Sequence, residues 1–454
     1  MTDSLPATPV LDSPAAGLGR TSTRRSLTER LNADAWGPIA ATLAILLMVA
    51  LTLLIVGDAS IGRTPMAPDQ PTRESYLNWL AGGKLSYYTF LPALLVIAGA
   101  YGVTLLLMRH VSRRWTIVAI VAMHVVVFIG PVMLSQDVFS YLAYARNAVL
   151  HGINPYLHGP IAAPHDADYR FVGVDWKKTL TAYGPLWTIV SYPIGFFGLD
   201  GGVWTMKVLG VVSSLGMVWL VWRCAVLRGR DPRLPAAIVG LSPITILYSV
   251  GGAHNDLEMA ALMMLGVWLT LRDRDAQGAG WVVAGAAVKL TAAALLPFMF
   301  LGRRKRGPLI GAVVVAVGLG LFSLIVFGSH SLNLAATLRR QQSFVSSDSF
   351  PNEIAHIFGK PGVFPVDRTL LRLGLVIAVL YLLFITWRGY DWIAAGAWTM
   401  LAIVVTTTWL LAWYTMWALP LAVVGRDRRA LWATLAVQAM FIVHQTSPLW
   451  SPRL

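Results

Sequence analysis

Residues 116–160, TIVAIVAMHVVVFIGPVMLSQDVFSYLAYARNAVLHGINPYLHGP, open as an apolar run long enough to cross a bilayer and then meet an acid, Asp137. A hydrocarbon core of ~30 Å takes about 17–25 helical residues, and 115–134 supplies them. A carboxylate at such a boundary is either an ordinary solvated helix cap or a reactive group held at the membrane surface. The rest of the chain bears on the choice.

Of the 454 residues, 56% are hydrophobic and 13% charged, and the mean hydropathy is +0.63. That is outside the usage of soluble globular proteins. Further apolar runs lie at about 38–57, 88–108, 203–224, 308–328, 368–387, 391–409 and 429–446, with shorter ones at 235–250, 256–271 and 412–424. Barrel strands would alternate in polarity over about ten residues. These runs are continuously apolar, so helices are the spanning element, and the chain is read as an all-α polytopic membrane protein. Residues 1–36, rich in Pro, Ser, Thr and Arg, read as a disordered tail. No small-residue cleavage site follows 38–57, so that run is expected to be a retained anchor. The single cysteine, Cys224, excludes an intramolecular disulfide framework and makes no metal site by itself. The net charge of +14 falls in short clusters between spans, which is how orientation is encoded. Nucleic acid is not an expected partner.

The clusters at 109–114, 223–233, 272–274, 303–306 and 426–429, together with the arginines of the tail, are all expected in the cytoplasm. Simple alternation then puts Asp137 outside. Two conflicts follow. If 183–199 crossed, 223–233 would land outside, and if 280–301 crossed once, RDRD and RRKR would lie on opposite sides. Both vanish if 183–199 lies along the outer surface or re-enters and if 280–301 is a hairpin of two half-helices. Pro185, Pro193 and Gly195 interrupt the first segment, and Lys289 and Pro297 interrupt the second. Such features are tolerated at membrane depth where protein surrounds them. The count is then about 11–13 membrane helices, with external loops at 135–202 and 329–367.

Unusual side chains gather on the external side. At 100° per residue, Asp137, Ser140, Tyr141, Tyr144 and Asn147 share one face of an expected interfacial helix. GGAHNDLEMA, 251–260, is a Gly-Gly break followed by His254, Asn255, Asp256 and Glu258, more polar groups than capping requires. Lys289 is central in its apolar run, where a snorkelling lysine would sit near an end. Arg339 and Arg340, beside Gln341, oppose the orientation bias, and guanidinium groups match phosphate oxygens. Trp413, Tyr414 and Trp417 are either belt residues or a sugar-stacking surface. An external carboxylate, cations suited to phosphate and a membrane cavity together point to a lipid phosphate whose head group reacts at the outer surface.

The set QDVFSYLAYAR, INPY, YGPLW, GGAHND and AVKL, spread over 115–424, resembles the actinobacterial polyprenol-phosphate-mannose-dependent α-1,6-mannosyltransferases, which are C-type (GT-C) membrane glycosyltransferases. The resemblance covers 1–114 poorly. It implies a transferase core at 115–424, N-terminal helices at 37–114 and a last helix within 425–454. It also implies that Asp137 is the general base for the acceptor hydroxyl, and that Lys289, Arg339 and Arg340 hold the donor phosphate. Tyr141, Tyr144, Asn154, Tyr156, His254, Asn255, Asp256, Gln341, Trp413 and Tyr414 would surround the substrates. The implied donor is a polyprenyl-phosphate mannose and the acceptor a mannoside or mannosylated lipid in lipomannan-type assembly at the plasma membrane. Transfer would invert the anomeric centre. No carboxylate pair with convincing Asp-x-Asp spacing is read outside, and no metal or other cofactor is expected. A lipid or glycan transporter is the competing class, but it would show paired halves, and the 280–301 hairpin has no partner in the first half.

Overall fold

The computed structural model describes residues 36–60, 68–70 and 87–446. The expected tail up to residue 35, most of the 58–87 loop and the C-terminus from 447 lie outside the described residues. Helices α1 (Gly37–Ser60), α2 (Tyr87–Leu106) and α3 (Arg113–Phe128) precede α4 (Asp137–His151), the helix that begins with the acid. A long loop leads to α5 (Pro185–Ser191), then α6 (Gly198–Leu227), α7 (Arg233–Gly240), α8 (Asp256–Leu271), α9 (Asp275–Ala286) and α10 (Leu296–Arg303). The chain continues through α11 (Gly307–Phe327), α12 (Leu334–Gln341), α13 (Phe350–Ile357), α14 (Pro365–Trp387), α15 (Trp392–Thr406), α16 (Leu419–Val424) and α17 (Arg428–Thr446). No strand occurs among the described residues. Four helical stretches, 37–60, 185–227, 307–341 and 365–387, are long and apolar enough to cross a membrane. A fifth forms if α7 is joined to the π-helical turn Ile244–Val250, which bends from it by 46° at Pro243. Proline interrupts the hydrogen-bond ladder there.

The basic clusters meet at one end of the molecule. Arg228 grips Asp391 through both carboxylate oxygens at 2.8 and 3.0 Å, and Asp391 also accepts from the Arg426 amide at 2.8 Å. Arg230 donates to the Val423 and Val424 carbonyls, and Arg233 donates to that of Val111. Arg303 pairs with Asp275 at 2.6 Å and also with Asp273. The Arg303–Asp275 pair joins the two ends of 275–303, so the segment is a hairpin, as its charges required. α9 has 12 residues, about 18 Å at 1.5 Å per residue, which is too short to cross ~30 Å of hydrocarbon. The chain turns back at Lys289, whose backbone is extended.

The segment 185–197 packs on α4. α5 and the 3-10 turn after it stay beside α4, and only α6, 30 residues long, runs on to the basic end at Arg228. The surroundings of α4 differ from the expectation of an interfacial helix with a wet polar face. Ser140, Tyr141, Tyr144 and Asn147 are buried, as are Val138 and Leu142. The reason is the loop 152–184 and the 192–197 turn, which pack over α4; the Tyr144 hydroxyl donates to the Thr179 carbonyl at 2.8 Å.

Candidate functional site

Asp137 enters α4 from a strained turn. Leu134, three residues earlier, has φ +62°, a region costly for a residue with a branched side chain. The Asp137 amide donates to Ser135 Oγ at 3.1 Å, so a serine satisfies the first free donor of the helix. The aspartate carboxylate accepts from no amide of α4; Gln136, at the cap position, makes no side-chain capping bond either. Instead Asp137 Oδ2 lies 3.4 Å from His254 Nδ1. Capping therefore does not explain this acid.

His254 comes from the 251–256 break, where Ala253 has φ +50°, a second strained non-glycine residue beside the site. A Cβ on Gly252 would lie 2.5 Å from His254 Nε2, so only glycine allows the imidazole to fold back over its own loop. The ring is fully buried and stacks on Trp413 at 3.6 Å between centroids. Neither ring nitrogen completes a hydrogen bond with the protein; Asn255 Nδ2 and Trp413 Nε1 are likewise unmatched. Buried donors and acceptors are nearly always satisfied in folded proteins, so these groups are an exception, concentrated directly behind Asp137. Asn255 Oδ1 accepts from the Tyr141 hydroxyl at 3.4 Å, and Tyr141 meets Tyr183 and Trp187 edge to face.

Asp256, the first residue of α8, is fully buried. Its oxygens take the Lys289 ammonium at 2.7 and 2.8 Å, and Oδ1 also accepts from Trp417 Nε1 at 2.6 Å. The ammonium lies 4.6 Å from the Tyr414 ring centroid and 5.3 Å from that of Trp417, so aromatic faces complete its cage. An ammonium has three donors and Asp256 engages it through two oxygens, which leaves one for a ligand. The hairpin apex carrying Lys289 is fixed by the start of α5: the Gly184 amide donates to the Val288 carbonyl and the Leu186 amide to that of Ala287, both at 3.0 Å. A Cβ on Gly184 would lie 2.2 Å from the Ala287 oxygen, so the glycine is needed for this close approach.

Asp137 and Lys289 line one cavity of about 290 Å³, with Trp176, Tyr183, Trp409, Tyr414 and Trp417 as its aromatic walls and Gln341 at its α12 side. Of the residues expected around substrate, Gln341 and Tyr414 line it directly, while Tyr141, His254, Asn255, Asp256 and Trp413 stand behind Asp137 and Lys289. Others have structural partners. Tyr144 is tied to Thr179, the Tyr156 hydroxyl donates to the Tyr183 carbonyl at 2.9 Å, and Asn154 Nδ2 donates to the Phe327 carbonyl at 2.9 Å. Arg339 and Arg340 are exposed on α12, outside the lining that their neighbours Leu338 and Gln341 join. Sequence reasoning passed over Trp176, Tyr183 and Trp409, whose aromatic character carries no signal of its own in a chain with 18 tryptophans and 14 tyrosines. It also passed over Asp166 and Asp168, which do have Asp-x-Asp spacing in the 152–184 loop. Burial alone would raise the Asp166 carboxyl, but bonds from Arg146 at 2.7 and 3.1 Å, the Asp168 amide and His151 bring it to about 2. Asp168 is fully buried with neither oxygen bonded; burial first and the Asp166 charge second push its carboxyl well up. Neither lines the cavity.

The cavity thus brings a carboxylate and a caged lysine together between indole and phenol rings in a helical membrane protein, and the comparison with known proteins defines the class as a membrane glycosyltransferase. Residues 45–304, more than half of the chain, match the family described as alpha-(1->6)-mannopyranosyltransferase, N-terminal domain. The protein belongs to this family. Over 432 residues it is 27% identical to alpha-(1->6)-mannopyranosyltransferase A of Mycobacterium tuberculosis, covering 86% of this chain and 82% of that protein. It is 32% identical over 177 residues to the corresponding A enzyme of Corynebacterium glutamicum, with 38% and 35% covered. The B enzyme of that organism is 28% identical over 158 residues, with 33% and 26% covered. No solved structure matches the chain.

Proposed function

We propose that this protein transfers a mannosyl residue from a polyprenyl-phosphate donor to a mannoside or mannosylated lipid on the external face of the membrane, forming an α-1,6 linkage. The observation that carries the reading is that Asp137, free of any capping duty, and the Lys289 ammonium line the same aromatic cavity. In this mechanism the acceptor hydroxyl gives its proton to the Asp137 carboxylate as its oxygen attacks the anomeric carbon. The bond from that carbon to the phosphate oxygen breaks on the opposite face, so a β-linked mannosyl phosphate gives an α-mannoside in one displacement. His254, 3.4 Å from Asp137 and locked against Trp413, positions the base. The phosphate leaves already ionised and needs no proton. The remaining donor of Lys289 stabilises the charge that builds on it. Arg339 and Arg340, exposed beside the cavity, are assigned to capturing the donor phosphate at the rim. Aromatic walls offer sugar rings their apolar faces.

The reading calls for no metal, because a lipid monophosphate has less charge to neutralise than a nucleoside diphosphate. The experiment is an assay of membranes given labelled polyprenyl-phosphate mannose and a short mannoside acceptor, with the product digested by a linkage-specific α-mannosidase. Labelled α-1,6 product, formed equally with and without EDTA, is expected. Consumption of GDP-mannose instead would overturn the donor assignment, and loss of product in EDTA would overturn the metal-free mechanism.

A further inference from the structure

At the basic end, a second cavity of about 900 Å³, sharing no lining residue with the Asp137 cavity, is lined by Arg304 from the turn after α10, Arg388 from the α14–α15 turn, Arg426 from the α16–α17 turn and Arg429 from the first turn of α17. Its two acids are already occupied. Asp391 holds Arg228 through both oxygens and the Arg426 amide, and Asp427 accepts from the Tyr390 hydroxyl, Trp398 Nε1 and the Arg429 amide. Arg304 reaches the Trp387 carbonyl, whereas the guanidinium groups of Arg388, Arg426 and Arg429 have no hydrogen-bonded acceptor among the described residues. Orientation by basic clusters needs charge on this face, but not three unmatched guanidinium groups converging on one cavity. The cavity also continues into an apolar groove of about 370 Å³ between α14 and α15, walled by Tyr381, Leu382, Ile385 and Ala402, and the two share Tyr390, Asp427 and Arg429. α14 is mostly exposed and apolar along its length, so the groove opens toward lipid.

We propose that this is a binding site for an anionic phospholipid of the leaflet that meets the basic end. The phosphate is gripped by Arg388, Arg426 and Arg429, whose forked donors match its oxygens, and an acyl chain lies in the groove beside α14. A zwitterionic head group would bring its own cation against the arginines. A free phosphate would leave the groove unused, and the shared residues make headgroup and chain one ligand. The site is separate from the sugar-transfer cavity and does not depend on that reaction.

The test is native mass spectrometry of the full-length protein in mild detergent, titrated with phosphatidylglycerol, phosphatidylcholine or inorganic phosphate. One phosphatidylglycerol per chain is expected to stay bound, and neither phosphatidylcholine nor phosphate to replace it. Arg388→Gln combined with Arg429→Gln should lower that occupancy about tenfold, and Arg306→Gln, on the same face but outside the cavity, should leave it unchanged. The pair Arg388→Lys and Arg429→Lys should retain most of it, separating loss of charge from loss of fold. Ala402→Trp, which fills the groove, should also release the lipid while leaving the charges in place. Equal retention by the glutamine pair and Arg306→Gln would overturn the site. So would equal binding of phosphatidylcholine, displacement by phosphate alone, or full retention in Ala402→Trp.

Discussion

Among the described residues the Asp137 carboxylate pairs with a buried histidine and with no other charged side chain, and that isolation makes its replacement informative. Asn keeps the size and polarity, and no helix amide depends on the carboxylate, so Asp137→Asn should leave expression and melting temperature near wild type. General-base contributions are typically a hundred to ten-thousandfold, so turnover should fall by at least about a hundredfold. Normal turnover at normal protein level would remove Asp137 from the chemistry. Asp168 supports a prediction about stability. In the unfolded chain its carboxyl loses a proton near pH ~4. In the fold, burial and the Asp166 charge hold the proton on far above that. The stabilisation is therefore complete below pH ~4 and declines as pH rises toward the folded value. Asp166 acts in the opposite sense: held at about 2, it contributes fully above pH ~4 and loses this as pH falls toward 2. Asp168→Asn should abolish only the first slope, so its melting temperature should exceed that of wild type by a margin that widens from pH 4 to 7. A margin independent of pH would contradict the assignment.

The hairpin α9–α10 places a cation at membrane depth by turning back at Lys289, and Asp256 at the start of α8 neutralises it. Breaking such a pair by removing one partner typically costs roughly 3–5 kcal/mol, because the other charge stays buried. Lys289→Met should thus destabilise the protein as well as impair it. Adding Asp256→Asn removes the stranded charge and should recover much of the melting temperature while donor turnover stays low, measured on the same purified samples. Recovery of both would mean that the lysine is structural. The hairpin was legible in the sequence from the clash between RDRD and RRKR, because charge bias constrains parity however the helices pack. The burial of α4 was not legible. Its polar positions follow a clean helical period, and nothing local reveals that the loop 152–184 folds back over them.

For the whole molecule, the cavity among the basic clusters meets α15 at Trp392 and the Asp137 cavity meets it at Ile403, so the positive-inside bias predicts opposite sides for them. The absolute sides follow from the positive-inside bias and can be measured. With Cys224 buried, a cysteine placed at Ala335 on α12 should react in intact cells with an impermeant maleimide, and one at Ala276 on α9 only after lysis. The reverse pattern would put the cavity in the cytoplasm.

The sequence by itself determined the helical membrane class, the hairpin and the candidate acid. Continuous apolar runs, parity and an ionisable group at a span end are properties of short windows, and no distant contact changes them. Only the tertiary structure decided which polar groups meet. His254 stands behind Asp137, Asp256 holds Lys289, Tyr156 and Asn154 brace the loops, and Arg339 and Arg340 stay outside the cavity. These are pairings between residues far apart in the chain, such as Trp417 with Asp256, 161 positions apart, and Asn154 with Phe327, 173 apart. They depend on how broken helices pack and where the external loop folds back, and the local period of the chain encodes neither.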